Sequence, residues 1–266
     1  MTRDGVLVLS HEPHLAAALT RGPDGRWLKE DGIPIFSLSA RDLAQYDVGR
    51  LNPAHKYSEQ WSEQRARDGE RIPTLQQLFD LARDTVSPGG QPVRFNIETK
   101  ITPTSGDTTP GVESYARAVV DAVRAAKMVQ RVAVQSFDWR TLREVKKRAP
   151  DIATACLTID SSGMNTVTPD ASGGSPWHAG LRTVDYGGSL PRMAQAAGCT
   201  VWSPFWRNVT IENVAEAHAL KLKVIPWTVN DSTELERLAT LGVDGIITDY
   251  PDRARRALSA SGISID

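Results

Sequence analysis

From residue 90 onward, short runs rich in β-branched and aromatic residues alternate with segments of helical periodicity. The runs cover residues 93–98, 131–136, 152–158, 200–203, 223–229 and 245–248. The helical segments cover residues 112–127, 140–148, 211–220, 233–241 and 250–258. Strand and helix in repeated alternation predict right-handed βαβ units and a parallel sheet. About six units are present, whereas a closed (β/α)₈ barrel needs eight.

The first third of the chain has a different pattern. Residues 5–10 are apolar and predict a strand, and residues 75–83 predict a helix. Between them, residues 12–72 are rich in Pro, Gly and charge and predict a long irregular excursion. A second excursion, rich in Gly, Ser and Thr, covers residues 160–188. Long loops inside a compact domain are usually functional, and a chain of this length is compatible with one barrel domain.

Charge and hydropathy exclude several classes of protein. Lys and Arg number 31 against 32 Asp and Glu, which gives a net charge of −1 and no basic excess for nucleic acid or an anionic membrane. No apolar run reaches the roughly 20 residues of a membrane span.

Cys156 and Cys199 lie in separate apolar segments and form no CxxC pair. We expect two buried free thiols, with a disulfide or a reactive thiol as the alternatives.

Alternation along residues 95–100 places polar side chains on one face of a predicted strand. Asn96, Glu98 and Lys100 share that face, while the apolar set faces the helices of a barrel. A carboxylate and an ammonium group therefore point to the mouth, either as a structural ion pair or as a site for a hard cation or a phosphate. By the same alternation, Gln135 and Phe137 at the end of the next predicted strand lie level with Glu98 and Lys100 at the mouth.

Two further candidates stand at strand ends. Trp227 is expected at the rim, where an indole serves equally well in core packing and in contact with a small polar substrate. His11 follows the first predicted strand and is adjacent to Glu12; such a histidine is more often structural than catalytic. The sequence contains no GxSxG, P-loop or dinucleotide fingerprint. The residues alone thus lead to a parallel α/β barrel with an acidic and basic mouth.

Five ordered motifs resemble the glycerophosphodiester phosphodiesterase family and cover nearly the whole chain. Residues 2–13 (TRDGVLVLSHEP) resemble its T-K-D-G-x-x-V-x-x-H-D segment. The others are NIETK at 96–100, QSF at 135–137, PWTVN at 226–230 and GVDGIITDYP at 242–251, which resemble its x-E-x-K, S-F, W-T-v-n and G-v-D-g-i-i-T-D-x-P segments. The resemblance implies a TIM-type (β/α)₈ barrel of the phospholipase C-like phosphodiesterase kind, as one domain over residues 1–266 with a small insertion at about 12–73.

The resemblance also implies an activity. Members hydrolyse a glycerophosphodiester to sn-glycerol 3-phosphate and an alcohol with a divalent cation, Ca²⁺ or Mg²⁺, and histidines that shuttle protons. His11 matches the second of two catalytic histidines, Glu98 a metal ligand and Lys100 a phosphate-facing cation. Gln135 extends the same polar face, and Phe137 and Trp227 match substrate contacts. The expected partner is a small-molecule substrate; the oligomeric state is left open.

The sequence departs from the family pattern at its beginning. Relatives start with H-R-G and P-E-N-T and carry E-x-D on their second strand, and none of these motifs occurs here. Glu12 replaces the usual Asp. About two strands, one histidine and two metal ligands are thus expected to be missing, and we expect an upstream extension in frame with Met1 to encode them. Localisation is cytoplasmic if the chain is complete and periplasmic or secreted if a signal precedes it.

Two alternatives to the hydrolase remain open. Related barrels include phosphatidylinositol-specific phospholipases, which substrate profiling would separate from glycerophosphodiester hydrolases. The chain can also be a non-catalytic remnant that binds a glycerophosphate-like ligand or a protein partner.

Overall fold

The computed structural model describes residues 1–87, 89–171, 173–260 and 262. Two compact units make up the chain. The first contains residues 1–84 and 104–128, and the second contains residues 85–103 and 129–266.

A parallel sheet of five strands forms the centre of the second unit. Its strands lie in chain order: β3 (Phe95–Glu98), β4 (Val132–Ser136), β5 (Ala153–Thr158), β6 (Val201–Pro204) and β7 (Lys223–Val224). The register pairs Glu98 with Gln135 and Ala155 with Val201. Strands β4, β5 and β6 are buried along almost their whole length, as expected when helices cover a parallel sheet. The predicted parallel α/β class is confirmed.

The sixth predicted strand, residues 245–248, is extended but not a regular strand. It continues the ladder beyond β7 through three backbone hydrogen bonds. Asp244 donates to the Val224 carbonyl, Ile247 donates to the Pro226 carbonyl, and Val229 donates to the Ile247 carbonyl. Pro226, which has no N–H, limits the regular pairing in this region.

Helices alternate with these strands. They are α4 (Trp139–Arg148), α5 (Leu190–Ala196), α6 (Ile211–Ala219), α7 (Ser232–Thr240) and α8 (Pro251–Ala260). Four of the five match predicted helices, and α5 had no counterpart among the segments of helical periodicity.

Helix α4 begins directly after β4, where the buried Asp138 side chain accepts the Arg140 N–H and pairs with the Arg140 guanidinium. Trp139 is fully buried, and its indole N–H donates to the Leu157 carbonyl at 3.1 Å. The beginning of α4 is thereby fixed at the end of β4.

The expectation of two free thiols is wrong. Cys156 lies in β5 and Cys199 just before β6, and the two form a disulfide with a Cα–Cα distance of 5.9 Å. Neighbouring parallel strands bring the residues to a separation typical of disulfides. The bond closes the second excursion, in which two short 3₁₀ helices, Pro176–His178 and Thr183–Tyr186, are the regular elements among the described residues. Ser172 of this excursion lies outside the described residues.

The first unit has little regular structure, as predicted for the early excursion. Two strands of two residues each, β1 (His14–Leu15) and β2 (Ile33–Pro34), pair in antiparallel orientation, and the α-helices are α1 (Ala40–Leu43), α2 (Leu75–Leu81) and α3 (Val112–Ala125). Three 3₁₀ helices, Ile35–Ser37, Lys56–Trp61 and Gly106–Thr108, add one or two turns each. Its buried cluster contains Leu15, Ile35 and Leu43. Thr74 and Gln77 form a capping box at the start of α2.

The predicted strand over residues 5–10 is wrong in extent. Val8 makes a single antiparallel bridge with Thr74. Leu75 begins α2 immediately afterwards, so the partner segment turns away before a ladder can extend. Among the described residues, no helix is both long and apolar enough to cross a membrane.

Candidate active site

An ion pair lies at the carboxyl end of β3. Lys100 Nζ is 2.9 Å from Glu98 Oε1, and the two side chains are 22% and 19% exposed. Alternation along the strand places both side chains on one face, as the sequence predicts. The carboxyl ends of parallel strands are where barrel enzymes carry their chemistry. The pair leaves a partly exposed ammonium group at this edge.

The Gln135 amide contacts the second oxygen of Glu98, and the Asn96 amide contacts Gln135. Gln135 Nε2 donates to Glu98 Oε2 at 3.4 Å, and Asn96 Nδ2 donates to Gln135 Oε1. Each oxygen of the Glu98 carboxylate therefore has a partner. Gln135 is nearly buried, so its amide is fixed between the two strands. The structure thus joins Glu98, Lys100 and Gln135 in one polar group.

Aromatic side chains cover the same edge of the sheet. Phe137 follows β4, Phe205 follows β6, and Trp227 lies beyond β7. The ring centres of Phe137 and Trp227 are 5.2 Å apart, those of Phe205 and Trp227 are 5.7 Å apart, and Trp177 lies 6.3 Å from Phe137. Trp206 contacts Phe205 at 5.7 Å. These five side chains, all half-buried, are called the aromatic cluster below.

Hydrogen bonds to the backbone hold two members of the cluster, Trp227 and Trp206. Trp227 Nε1 donates to the Ser203 carbonyl at 2.9 Å, which fixes the indole plane. The Trp206 amide donates to the Trp227 carbonyl at 3.0 Å. Trp227 is therefore a partly exposed rim residue held by the backbone of β6. Sequence reasoning identified Phe137 and Trp227 but missed Trp177, Phe205 and Trp206, although Phe205 and Trp206 follow directly on a predicted strand.

His11 belongs to the first unit. Its Nδ1 atom is 2.7 Å from Glu12 Oε1, and its side chain is 82% exposed. A carboxylate at Nδ1 favours the tautomer with the proton on that nitrogen, which leaves Nε2 free to accept a proton from a ligand. The Glu12 side chain is thus long enough for the orienting contact despite replacing Asp.

The described residues do not form a complete site for a divalent cation. Within the described part of the chain, no group of three or more His, Cys, Asp or Glu side chains is arranged to hold a metal ion. Glu98 is the carboxylate that the resemblance implies as a ligand, and Lys100 and Gln135 already contact its oxygens. Ca²⁺ and Mg²⁺ require several oxygen ligands.

Comparison with known sequences decides the family. The sequence model of the Glycerophosphoryl diester phosphodiesterase family matches residues 1–253. The chain belongs to this family. A glycerophosphodiester phosphodiesterase of Caldanaerobacter subterraneus subsp. tengcongensis is 30% identical over 253 residues, covering 95% of this chain and 80% of the relative. A glycerophosphodiester phosphodiesterase of Bacillus subtilis is 25% identical over 95% of this chain and 72% of its own length.

Solved structures agree with the assignment to the glycerophosphoryl diester phosphodiesterase family. A crystal structure from Silicibacter pomeroyi DSS-3, of a protein assigned to the same class, is 34% identical with a TM-score of 0.83, covering 100% of this chain and 83% of that one. A phosphodiesterase of Oleispira antarctica, solved with the product sn-glycerol-3-phosphate, superposes with a TM-score of 0.63 at 21% identity, covering 97% of this chain and 82% of that one. The predicted TIM-type barrel class is confirmed, with the five-stranded sheet as the part of the barrel wall described above.

Proposed function

We propose that this protein hydrolyses glycerophosphodiesters to sn-glycerol 3-phosphate and an alcohol. The family match over residues 1–253 carries the proposal, because the relative at 30% identity bears the name of this activity and aligns with 95% of the chain. The Glu98–Lys100 pair at the carboxyl edge of the sheet supports it, because an ammonium group at this position suits a phosphodiester. The single-domain organisation over residues 1–266 remains part of the same proposal.

In the proposed reaction a water oxygen forms a bond to phosphorus, and the bond between phosphorus and the alcohol oxygen breaks. Lys100 holds a phosphate oxygen by charge-assisted hydrogen bonding, and Glu98 keeps its ammonium group in place. The family resemblance assigns the proton transfer to His11, which takes a proton from water or returns one to the departing alcohol. Phe137 and Trp227 pack against the carbon atoms of the substrate. Glu98 is the candidate ligand for Ca²⁺ or Mg²⁺ in this chain.

Release of glycerol 3-phosphate tests the proposal. The purified chain is incubated with glycerophosphocholine, glycerophosphoethanolamine and glycerophosphoglycerol, each with EDTA, Ca²⁺ or Mg²⁺, and the product is measured with a coupled dehydrogenase. We expect product that depends on His11 and Lys100. No release from any of the three substrates under any condition would refute the proposal.

A non-catalytic binding protein is the second candidate. It is favoured by one observation: within the described residues, Glu98 lies in an ion pair and not in a group of three metal-binding side chains. The Glu98→Gln variant separates the two functions. A hydrolase should lose at least about tenfold in kcat/KM or in metal affinity, whereas a remnant should bind glycerol 3-phosphate almost as before. Glu236→Gln, an exposed carboxylate on α7, is the matched control.

A further inference from the structure

A set of buried polar side chains adjoins the Glu98–Lys100 pair. Its members are at most 2% exposed and lie just beyond β3, at the end of β4 and at the start of α4: Thr99, Ser136, Asp138 and Thr141. Apolar side chains of similar size would fill this space with no hydrogen-bonding requirement, whereas each buried polar group needs a partner. These four residues are called the buried network below.

Two threonine hydroxyls link the end of β3 to α4. Thr99 Oγ1 lies 3.0 Å from Thr141 Oγ1, and Thr141 Oγ1 donates to the Asp138 carbonyl at 2.8 Å. A hydroxyl has one proton to donate, so the Thr141 proton goes to Asp138 and Thr99 is the donor to Thr141. The Thr99 side chain is thereby held against α4.

A second set of contacts holds the backbone at Lys100. The Ile101 N–H donates to the Thr99 carbonyl at 3.1 Å, which closes a three-residue turn with Lys100 at its centre. The Ser136 hydroxyl donates to the same carbonyl at 3.3 Å, and Ser136 Oγ accepts the Asp138 N–H at 3.1 Å. The Thr99 N–H donates to a backbone carbonyl of β4 at 3.0 Å. The N–H, the carbonyl and the side chain of Thr99 are therefore all bonded to β4 or α4.

The position of Thr99 in the chain makes these contacts relevant to the site. Thr99 lies between Glu98 and Lys100, and Lys100 Nζ is 2.9 Å from Glu98 Oε1. A rotation of the Thr99 backbone would change the direction in which both charged side chains leave the strand end. The four-carbon stem of lysine is flexible, so its own rotamers do not fix the ammonium group. The fixed backbone therefore sets where the ion pair lies.

We propose that Thr99 and Ser136 are positioning residues, which hold Lys100 and Glu98 in the arrangement that receives the phosphate. This inference rests on the proposed hydrolysis of glycerophosphodiesters. Both residues are buried, so they act on the substrate through the charged pair. A charge-assisted hydrogen bond to phosphate depends on the placement of the ammonium group, and a fully bonded buried network keeps that placement fixed.

Kinetics of four variants test the positioning role. Thr99→Val and Ser136→Ala remove a hydroxyl with little change in volume, whereas Thr99→Ser keeps it. Thr154→Val is the matched control, because Thr154 is fully buried near the amino end of β5 and its hydroxyl donates to the Gly198 carbonyl at 3.4 Å. We expect kcat/KM for glycerophosphocholine to fall about tenfold in Thr99→Val and Ser136→Ala. Thr99→Ser should recover most of the loss, and Thr154→Val should retain the wild-type value.

Urea unfolding of each variant separates positioning from stability. A purely structural role predicts that activity falls in step with the unfolding midpoint, in Thr154→Val as much as in Thr99→Val. The proposal predicts loss of activity in Thr99→Val and Ser136→Ala at a stability that Thr154→Val shares. Equal activity losses in Thr154→Val and Thr99→Val, or no recovery in Thr99→Ser, would overturn it.

Labelling of Lys100 tests the same contacts without a substrate. The folded chain is treated with a trace of acetic anhydride, and the labelling rate of Lys100 is measured by peptide mass analysis relative to Lys223, an exposed lysine of β7. Contact with Glu98 protects the Lys100 amine, so Glu98→Gln sets the upper limit. Thr99→Val and Ser136→Ala should accelerate labelling by up to about fivefold, as expected for loss of a partly exposed ion pair.

Failure of the positioning role and failure of the hydrolase give different results. If the wild-type chain hydrolyses no glycerophosphodiester, the proposed function fails, and the labelling rates then decide the positioning role alone. Faster labelling in Thr99→Val and Ser136→Ala, with wild-type rates in Thr99→Ser, supports it. Unchanged labelling of Lys100 in both hydroxyl-deleted variants overturns it.

Discussion

Breaking the Cys156–Cys199 disulfide should lower the free energy of unfolding by about 4 kcal/mol. The bond joins residues with a sequence separation of 43. Closing a loop of that size removes about 13 cal/mol/K of entropy from the unfolded chain, which is about 4 kcal/mol at 25 °C. Both cysteines are buried in the folded protein, so reduction leaves their packing almost unchanged and acts mainly on the unfolded state. The loss is a large part of the stability of an ordinary domain.

Chemical and thermal unfolding measure this loss. The oxidised protein is compared with the same protein reduced under denaturing conditions and refolded with reductant present. Reduction should lower the midpoint of urea unfolding, and it should lower Tm by roughly 8–16 °C at about 2–4 °C per kcal/mol. Hydrogen exchange should accelerate in peptides from residues 157–198, because the crosslink closes this segment.

A double variant supplies the control for reductant itself. Cys156→Ala/Cys199→Ala should unfold at or below the midpoint of the reduced protein and should not respond to reductant. The reasoning is refuted if oxidised and reduced protein unfold at the same urea concentration and temperature. It is also refuted if mass analysis without reduction finds two free thiols in the folded protein.

Two further predictions concern a buried histidine and a closely packed glycine. His178 is fully buried against Trp139, with a ring distance of 4.3 Å, and burial lowers its pKa from 6.5 to about 4. The unfolded chain thus binds a proton at His178 more readily than the folded chain does. The free energy of unfolding should therefore fall by up to about 3 kcal/mol as the pH drops from 6.5 to 4. A His178→Leu variant with the same pH dependence would contradict this. Gly49→Ala should cost about 2 kcal/mol or more, because its Cβ would lie 1.7 Å from the Arg67 carbonyl oxygen. Gly163→Ala, with open space around the Cβ, should unfold like the wild type.

Periodicity predicted the elements that bury a continuous face. The pattern over residues 112–127 gave α3 (Val112–Ala125) because five residues of its apolar face are buried. Helix α5 (Leu190–Ala196) was missed because its seven residues are too few for a clear period and include Pro191 near the start. The strand expected over residues 5–10 failed for another reason: apolar content cannot show that its partner is the segment that begins α2 at Leu75.

The candidate site was predictable where strand parity decides the direction of a side chain. Glu98 and Lys100 were placed on one face from alternation alone, and the structure pairs them at 2.9 Å. Trp177 could not be found in this way, because residues 160–188 have no periodicity that relates them to the sheet. The disulfide was equally hidden, since the spacing of Cys156 and Cys199 contains no information on which strands become neighbours.

The disulfide and the aromatic cluster meet in one segment. The loop between Cys156 and Cys199 carries Trp177, which packs on Phe137, and the adjacent His178, which stacks on Trp139 at the beginning of α4. His178 has no hydrogen-bond partner for either ring nitrogen among the described residues, so apolar packing holds its ring, while Arg143 Nη1 donates to the neighbouring Ala179 carbonyl at 2.9 Å. A ring held by packing alone depends on the loop being confined. The crosslink confines it, and reduction should therefore speed hydrogen exchange in peptides that contain residues 176–178 before it speeds exchange in the sheet.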